Sequence, residues 1–129
     1  MKSRSTVEKG TFRFQKLEIW KKAIEIGHEL LEVADHLEKR KLYRFAEQVR
    51  GASLSISNNI AEGSGSNSKK DFAHFLNIAR RSAFENANMV IVFHQRGLIG
   101  QDECDLLLKE LDEVSRMITG FSRSLKAKY

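Results

Sequence analysis

Hydrophobic residues recur at helical spacing along most of the chain. From about residue 16 to 37, two apolar series interleave, and each advances in alternating steps of three and four residues. At about 100° per residue the two stripes lie side by side, so this first helix has an apolar arc wider than a single coiled-coil seam. The series are Leu17, Trp20, Ile24, Gly27, Leu31 and Ala34, and Ile19, Ala23, Ile26, Leu30, Val33 and Leu37. Two neighbouring helices of the same chain could cover this arc, and so could a partner subunit.

Three more amphipathic segments follow, at about residues 42–62, at about 69–96, and from about 102 onward. The last repeats its 3,4 spacing without interruption through Cys104, Leu107, Leu111, Val114, Ile118, Phe121 and Leu125. Short connections between such segments favour antiparallel neighbours. The sequence therefore predicts an all-α fold, an antiparallel up-down-up-down four-helix bundle, in which Gly97 ends the third helix.

Small residues occupy much of the second helix beside its apolar seam. They are Gly51, Ser53, Ser55 and Ser57. Small side chains allow another backbone to approach closely, but a serine-rich face is equally compatible with solvent. The sequence leaves both interpretations open.

The chain must reverse direction within the stretch SISNNIAEGSGSNSKKDF, residues 55–72. Gly63 and Gly65 supply the permissive backbone that commonly ends a helix. Ser68 followed by Asp71 resembles a capping box at the start of the third helix. We expect a tight turn between the second and third helices.

This stretch also resembles the core motif of the 23S rRNA intervening-sequence proteins. The matching residues are Gln48, Arg50, Ala52, Ser55, Ile56, Asn59, Ile60, Ala61, Glu62 and Gly63, then Lys70, Phe72, Phe75, Leu76, Ile78, Ala79, Ser82 and Glu85. An opening motif of the family is similar to Phe14, Leu17, Trp20 and Ala23. The likeness covers nearly the whole chain.

The resemblance implies a four-helix bundle assembled as a cyclic homopentamer. Relatives are encoded within rRNA intervening sequences, and similar proteins are accessory variability determinants beside reverse transcriptases in diversity-generating retroelements. The function implied is a non-enzymatic scaffold that binds RNA or DNA, with a reverse transcriptase as partner. The alternative is a structural oligomer or protein–protein adaptor with no nucleic-acid role.

Composition is compatible with this function without proving it. The 129 residues carry 22 Lys and Arg against 17 Asp and Glu, a net charge of +5. A basic balance favours polyanionic partners but does not identify one. With a single cysteine and no apolar leader or membrane span, a cytoplasmic protein is expected. We expect a flexible basic arm at residues 1–13 and one bundle domain at 14–129.

Two acid–histidine pairs mimic half of a di-iron bundle site. They are Glu25 with His28 and Asp71 with His74. Metal ligands would have to point into the core, whereas these residues fall away from the apolar stripes of their helices. No metal site is expected.

No catalytic arrangement can be identified. Cys104 lies in the apolar seam of the fourth helix, and His36 and His94 have no acid partner at catalytic spacing. The run EGSGSNSKK lacks the spacing of a nucleotide-binding loop, and no strand precedes it. We therefore expect no enzyme activity, no cofactor and no small-molecule substrate.

Structural roles are expected for five residues of the family-like region. They are Arg50, Asn59, Glu62, Gly63 and Glu85. Glu85 falls in a second apolar stripe of the third helix, and a buried carboxylate requires a partner. Arg50 is the predicted partner, and a water-exposed rim position for Glu85 is the alternative.

Basic residues should gather at one end of an up-down-up-down bundle. That end holds the start of the first helix, the turn between the second and third helices, and the end of the fourth. The predicted nucleic-acid-binding residues there are Arg13, Lys16, Lys69, Lys70, Arg123, Lys126 and Lys128. Cations at the end of the fourth helix could simply complement the helix dipole, but the dipole disfavours Lys69 and Lys70 at a helix start.

Overall fold

A computed structural model describes residues 10–127 of the chain, and four long helices occupy most of them. After a short 3-10 helix at Arg13–Lys16 come α1 (Glu18–Lys39), α2 (Tyr43–Ser64), α3 (Lys69–Gln95) and α4 (Gln101–Ala127). Residues 10–127 contain no strand. The prediction of an all-α protein with four helices is confirmed. Lys2, Arg4 and Lys9 of the predicted arm, and the predicted site residue Lys128, lie outside the described residues.

The four helices pack around one hydrophobic core, with contacts between α1 and α2, α2 and α3, α3 and α4, and α1 and α4. One of the two apolar series of α1 is buried throughout, from Ile19 to Leu37. In the other series Trp20, Ile24 and Leu31 are only half-buried. The helices of the same chain therefore cover one stripe completely and the neighbouring stripe in part.

The interface between α2 and α3 combines small residues with buried hydrogen bonds. Asn86 is fully buried, and its Nδ2 donates to the carbonyl oxygens of Ala52 at 2.9 Å and Ser82 at 2.7 Å. The hydroxyl oxygens of Ser55 and Ser82 lie 2.7 Å apart. By contrast, Gly51 is exposed, and no atom lies within 4 Å of the position that a Cβ would take. One part of the small-residue surface is closely packed, and another part faces solvent.

Gly63 serves close packing rather than chain termination, which corrects the prediction. Helix α2 continues through Gly63 to Ser64, and Gly65 caps it with φ −87°, a conformation open to any residue. A Cβ at Gly63 would lie 2.8 Å from Cδ1 of Phe72 and 2.9 Å from Cβ of Phe75. The absence of a side chain at this position lets α3 approach the end of α2.

The other turn residues behave as the sequence predicts. The Ser68 hydroxyl accepts a hydrogen bond from the Asp71 amide at 3.1 Å, which caps α3. Gly97 follows the end of α3 with φ 73°, in the left-handed region that favours glycine. The loop between α1 and α2 uses Lys41 in the same region, with φ 65°.

Candidate nucleic-acid interface

Four of the predicted basic residues line a continuous groove between α3 and α4, which we call the basic groove. It consists of two adjoining pockets that share Ala73 and Lys126. The polar and charged lining residues are Lys69, Lys70, His74, Asn77 and Arg80 from α3, and Thr119, Ser122, Arg123 and Lys126 from α4. No carboxylate lines either pocket, so positive charge in the groove has no acidic neighbour there.

Four of the groove cations differ from several other cations of the molecule in having no ion-pair partner among residues 10–127. Among residues 10–127, Lys70, Arg80, Arg123 and Lys126 are exposed and form no ion pair. Lys69 is half-buried and does make an interaction. The four unpaired cations remain available to an anionic partner.

Arg80 is a groove residue that sequence reasoning missed. It lies one helical turn after Leu76 and Asn77 in α3. The prediction considered only residues at the end of the bundle, and Arg80 is farther from that end. Its guanidinium carbon lies 4.8 Å from the centroid of the Phe84 ring, a cation–π contact on an exposed aromatic side chain. Lys69, Ala73, Leu76 and Arg80 are spaced by four, three and four residues, which places them on one face of α3. This spacing was the sequence signal that could have identified Arg80.

Arg13 and Lys16 lie apart from the groove. Arg13 lines a different pocket, together with Glu62 and Ser66, on the side of the turn between α2 and α3. Its guanidinium carbon is 5.6 Å from the centroid of the Phe72 ring. Lys16 is exposed and lines neither the groove nor this pocket. The structure thus divides the predicted basic end into a groove and a separate arginine site.

Phe72 connects these two regions. Its ring makes an edge contact with Phe121 of α4, with centroids 5.4 Å apart, and also lies under the guanidinium of Arg13. Phe72 is also the residue that approaches Gly63. The position of Arg13 relative to α3 and α4 therefore depends on the close contact between Gly63 and Phe72.

The predicted pairing of Arg50 with Glu85 is wrong. Arg50 projects toward α1 and forms ion pairs with Asp35 at 3.0 Å, Glu38 at 2.8 Å and Glu47 at 2.9 Å. The hydrogen bonds that Arg50 donates to Glu38, Asp35 and Glu47 raise the pKa of its guanidinium. Glu85 is exposed on α3, as in the alternative interpretation.

The residue that meets α2 at this level is the neighbour of Glu85, Asn86, because one step along a helix turns a side chain by about 100°. Asn59 makes a contact within α2: its Nδ2 donates to the Ser55 carbonyl at 2.7 Å and to the Ser55 hydroxyl at 3.0 Å. Ser55 in turn contacts Ser82 of α3. Asn59 therefore orients a hydroxyl group of the interface between α2 and α3.

The side of α4 that faces α1 carries acidic groups. We call this contact, formed by Lys22 and Glu29 of α1 with Glu110 and Glu113 of α4, the acidic seam. Lys22 of α1 pairs with Glu113 of α4 at 3.1 Å. Burial opposes the charge on Lys22, but the hydrogen bond to Glu113 and the nearby carboxylates outweigh burial and raise its pKa.

Glu29 of α1 and Glu110 of α4 meet in the same seam. Burial, the close approach of the Glu110 carboxyl group and the negative charge of Glu25 raise the pKa of Glu29 to about 7, although the positive charge of Lys22 opposes this shift. The Oε2 atoms of both carboxyl groups are buried and receive no hydrogen bond from a donor group in residues 10–127. A carboxyl group with this raised pKa keeps its proton above the usual range, and the proton on Glu29 can supply the missing donor to Glu110.

The candidate metal and catalytic residues are scattered. His74 is exposed and belongs to the basic groove, with its ring 5.7 Å from that of Phe75. In the part of the chain that the structure describes, no three His, Cys, Asp or Glu residues come together as a possible metal site. Cys104 is buried, and burial raises the pKa of its thiol. Within residues 10–127, none of the helices is apolar over a length that would cross a membrane.

Comparison with known proteins identifies a matching family and a solved structure with a similar fold. A family model described as 23S rRNA-intervening sequence protein matches residues 15–120. The crystal structure of a protein of unknown function from the S23 ribosomal protein family of Bacteroides thetaiotaomicron is similar, with a TM-score of 0.77 and 20% sequence identity. The match covers 81% of this chain and 97% of that chain. No curated protein matches the chain significantly.

Proposed function

The chain belongs to the 23S rRNA-intervening sequence protein family, and from that premise we propose that it is a non-enzymatic, oligomeric scaffold that binds nucleic acid through its phosphates. RNA and DNA are both included, since phosphate contacts carry little base information. The family resemblance favours a role as accessory protein to a reverse transcriptase in a diversity-generating retroelement. Action in the cytoplasm is part of the proposal.

One observation carries this proposal: the basic groove gathers unpaired cations from two helices with no carboxylate among its lining residues. Lysine and arginine side chains that form no ion pair can neutralise phosphates and release the counterions that surround nucleic acid. The groove also contains Asn77 and Ser122, whose side chains can donate hydrogen bonds to phosphate oxygens. Such a lining suits a polyanion better than an apolar ligand.

The proposal includes an antiparallel up-down-up-down arrangement of the helices. Arg50, early in α2, pairs with Asp35 and Glu38, late in α1. Phe45, early in α2, contacts Phe93, late in α3, with ring centroids 5.6 Å apart. These contacts support antiparallel neighbours, which place the start of α3 beside the end of α4 in the groove.

The proposal also includes assembly into a cyclic homopentamer. Three half-buried residues of α1, Trp20, Ile24 and Leu31, leave one apolar stripe only partly covered. Leu54 and Leu106 are exposed apolar side chains on α2 and α4. A closed ring is the usual way to cover such surfaces, and it would present several copies of the groove together.

A second candidate is a structural oligomer or protein–protein adaptor without a nucleic-acid role. The exposed side chains Ile91 and Val92 on α3 favour this candidate, because both are about two-fifths exposed. The two candidates differ in whether the protein needs the groove cations to bind its partner.

A charge-reversal comparison tests the proposal. The double variant Lys69→Glu with Lys70→Glu alters the groove, and Lys39→Glu with Lys41→Glu makes the same charge change at the exposed end of α1 and in the loop that follows it. Gel shifts against structured RNA and duplex DNA over a salt series should show loss with the groove variant and a smaller salt slope. Light scattering should report about five chains for both variants and the wild type.

Two results would count against the proposal. Equal binding by both variants would move the interface away from the groove. Failure of the wild-type protein to bind either nucleic acid at low salt would favour the adaptor.

A further inference from the structure

The basic groove extends along the two helices and is not confined to the end of the bundle. From Lys69 to Arg80 it follows α3 for about 16 Å, at 1.5 Å of rise per residue. Cations stand on both walls, since Arg123 and Lys126 of α4 oppose the residues of α3. A polyanion that contacts both walls lies along the groove.

An exposed aromatic ring continues this track. Phe84 lies one helical turn beyond Arg80, is 56% exposed, and contacts the Arg80 guanidinium at 4.8 Å. An exposed phenylalanine beside a cation provides a flat surface for a base and a charge for the adjacent phosphate. Sites for single-stranded nucleic acid combine these two elements.

We infer that the basic groove and Phe84 together bind single-stranded nucleic acid, with the groove following the phosphates and Phe84 stacking on a base. This inference rests on the proposed function and narrows it. In a duplex the bases already stack on one another, so an isolated aromatic side chain has no free base face to contact. A single strand has free base faces, and its one phosphate backbone can follow the groove.

The inference predicts different effects for two neighbouring arginines on α3. Arg80 lines the groove and contacts Phe84, whereas Arg81 is exposed and lines neither groove pocket. Arg80→Gln and Arg81→Gln remove the same charge from the same helix. The matched control for Phe84→Leu is Ile91→Ala, at another exposed apolar residue of α3.

Fluorescence anisotropy with a labelled oligouridylate of about 12 nucleotides, and with an RNA duplex of the same length, measures the difference. The wild type should bind the single strand about tenfold more tightly than the duplex. Arg80→Gln should weaken single-strand binding about tenfold and reduce the salt slope by about 1, whereas Arg81→Gln should change affinity about twofold or less. Phe84→Leu should weaken single-strand binding about fivefold with an unchanged salt slope.

Three results would overturn the inference. The first is equal affinity for the single strand and the duplex, together with equal effects of Arg80→Gln and Arg81→Gln on that affinity. In that case, weaker binding by the Lys69→Glu with Lys70→Glu variant would still support phosphate binding in the groove. Loss of assembly in Phe84→Leu, seen by light scattering, would assign Phe84 to a contact between copies. Failure of the wild type to bind either probe would remove the proposed function as well.

Discussion

The two flanks of α4 differ in how their charges are satisfied. In the acidic seam with α1, Lys22 pairs with Glu113 at 3.1 Å, and the carboxyl groups of Glu29 and Glu110 meet. In the basic groove with α3, Arg123 and Lys126 are exposed and form no ion pair among residues 10–127. The paired charges of the seam contribute to holding the helices together, and the unpaired charges of the groove remain available to a partner.

Physical chemistry connects this difference to function. A cation that stays in water changes the free energy of folding very little, so it remains able to bind a ligand. A partly buried carboxyl group is costly unless a proton or a cation balances it. Substitutions in the seam should therefore change stability and leave binding intact, whereas substitutions of groove cations should do the opposite. The following experiments test this division, from the largest expected effect to the smallest.

Gly63→Ala should destabilise the fold and also disturb the basic end. The added Cβ would lie 2.8 Å from the Phe72 ring, which contacts Phe121 of α4 and lies under Arg13. Overpacking of this kind costs about 1–3 kcal/mol. Urea unfolding measures the loss, and an unchanged unfolding midpoint would show that Phe72 can move without cost.

Lys22→Met should destabilise the protein by about 1–2 kcal/mol, because Glu113 loses its partner and a positive charge disappears beside the Glu29 and Glu110 pair. The matched variant Lys126→Met in the groove should change stability by less than about 0.5 kcal/mol while weakening nucleic-acid binding. Urea unfolding and anisotropy of both variants make the comparison. Similar stability losses in the two would contradict the division between the flanks.

Stability should fall as the pH rises through the pKa of Glu29. Its pKa is raised from 4.5 to about 7, so between these values the folded state holds a proton that the unfolded state has released. The stabilisation is complete below about pH 4.5 and is lost as the pH passes 7. Between pH 6 and pH 8 the free energy of unfolding should decrease by about 1 kcal/mol.

The control for this pH dependence is Glu29→Gln, whose amide can donate to Glu110 at any pH. It should flatten the profile without changing affinity for nucleic acid. The other charged groups near Glu29 are Lys22 and Glu25 of its own helix. A wild-type profile that is flat from pH 6 to pH 8 would show that Glu29 does not keep its proton above the usual range.

Gly120→Ala should produce the smallest effect, a gain in stability of about 0.5–1 kcal/mol. Gly120 is exposed within α4, and no atom lies within 4 Å of its potential Cβ. Thermal unfolding should show the gain, with nucleic-acid affinity and pH dependence unchanged. A change in affinity would mean that the interface extends beyond the groove to the outer surface of α4.

The sequence predicted the helices because burial of apolar side chains follows helical spacing. The uninterrupted series of α4, from Cys104 to Leu125, is buried except for Phe121, which is partly buried. Ser68 and Gly97 marked helix ends through local hydrogen bonding and backbone conformation, which neighbouring residues determine. These features require no knowledge of distant parts of the chain.

Sequence reasoning also brought Lys69, Lys70, Arg123 and Lys126 together, and the structure places these four in one groove, since chain reversal brings helix ends together. It missed Arg80, because the depth of a groove between two helices depends on how they pack. It also placed Arg13 and Lys16 with the others, although Arg13 lies at a separate pocket beyond Phe72. Which residues line one groove depends on the rotation of each helix about its axis.

The sequence by itself thus determined four amphipathic helices, their ends and a surplus of positive charge. Only the tertiary structure decided which charges meet: Arg50 pairs toward α1 rather than with Glu85, and Glu29 meets Glu110 across the acidic seam. It also decided that Gly63 is needed for the approach of Phe72 rather than for its backbone conformation. The reason is that spacing along one helix fixes which residues share a face, whereas contacts between helices depend on their relative rotation and distance, which the whole core sets.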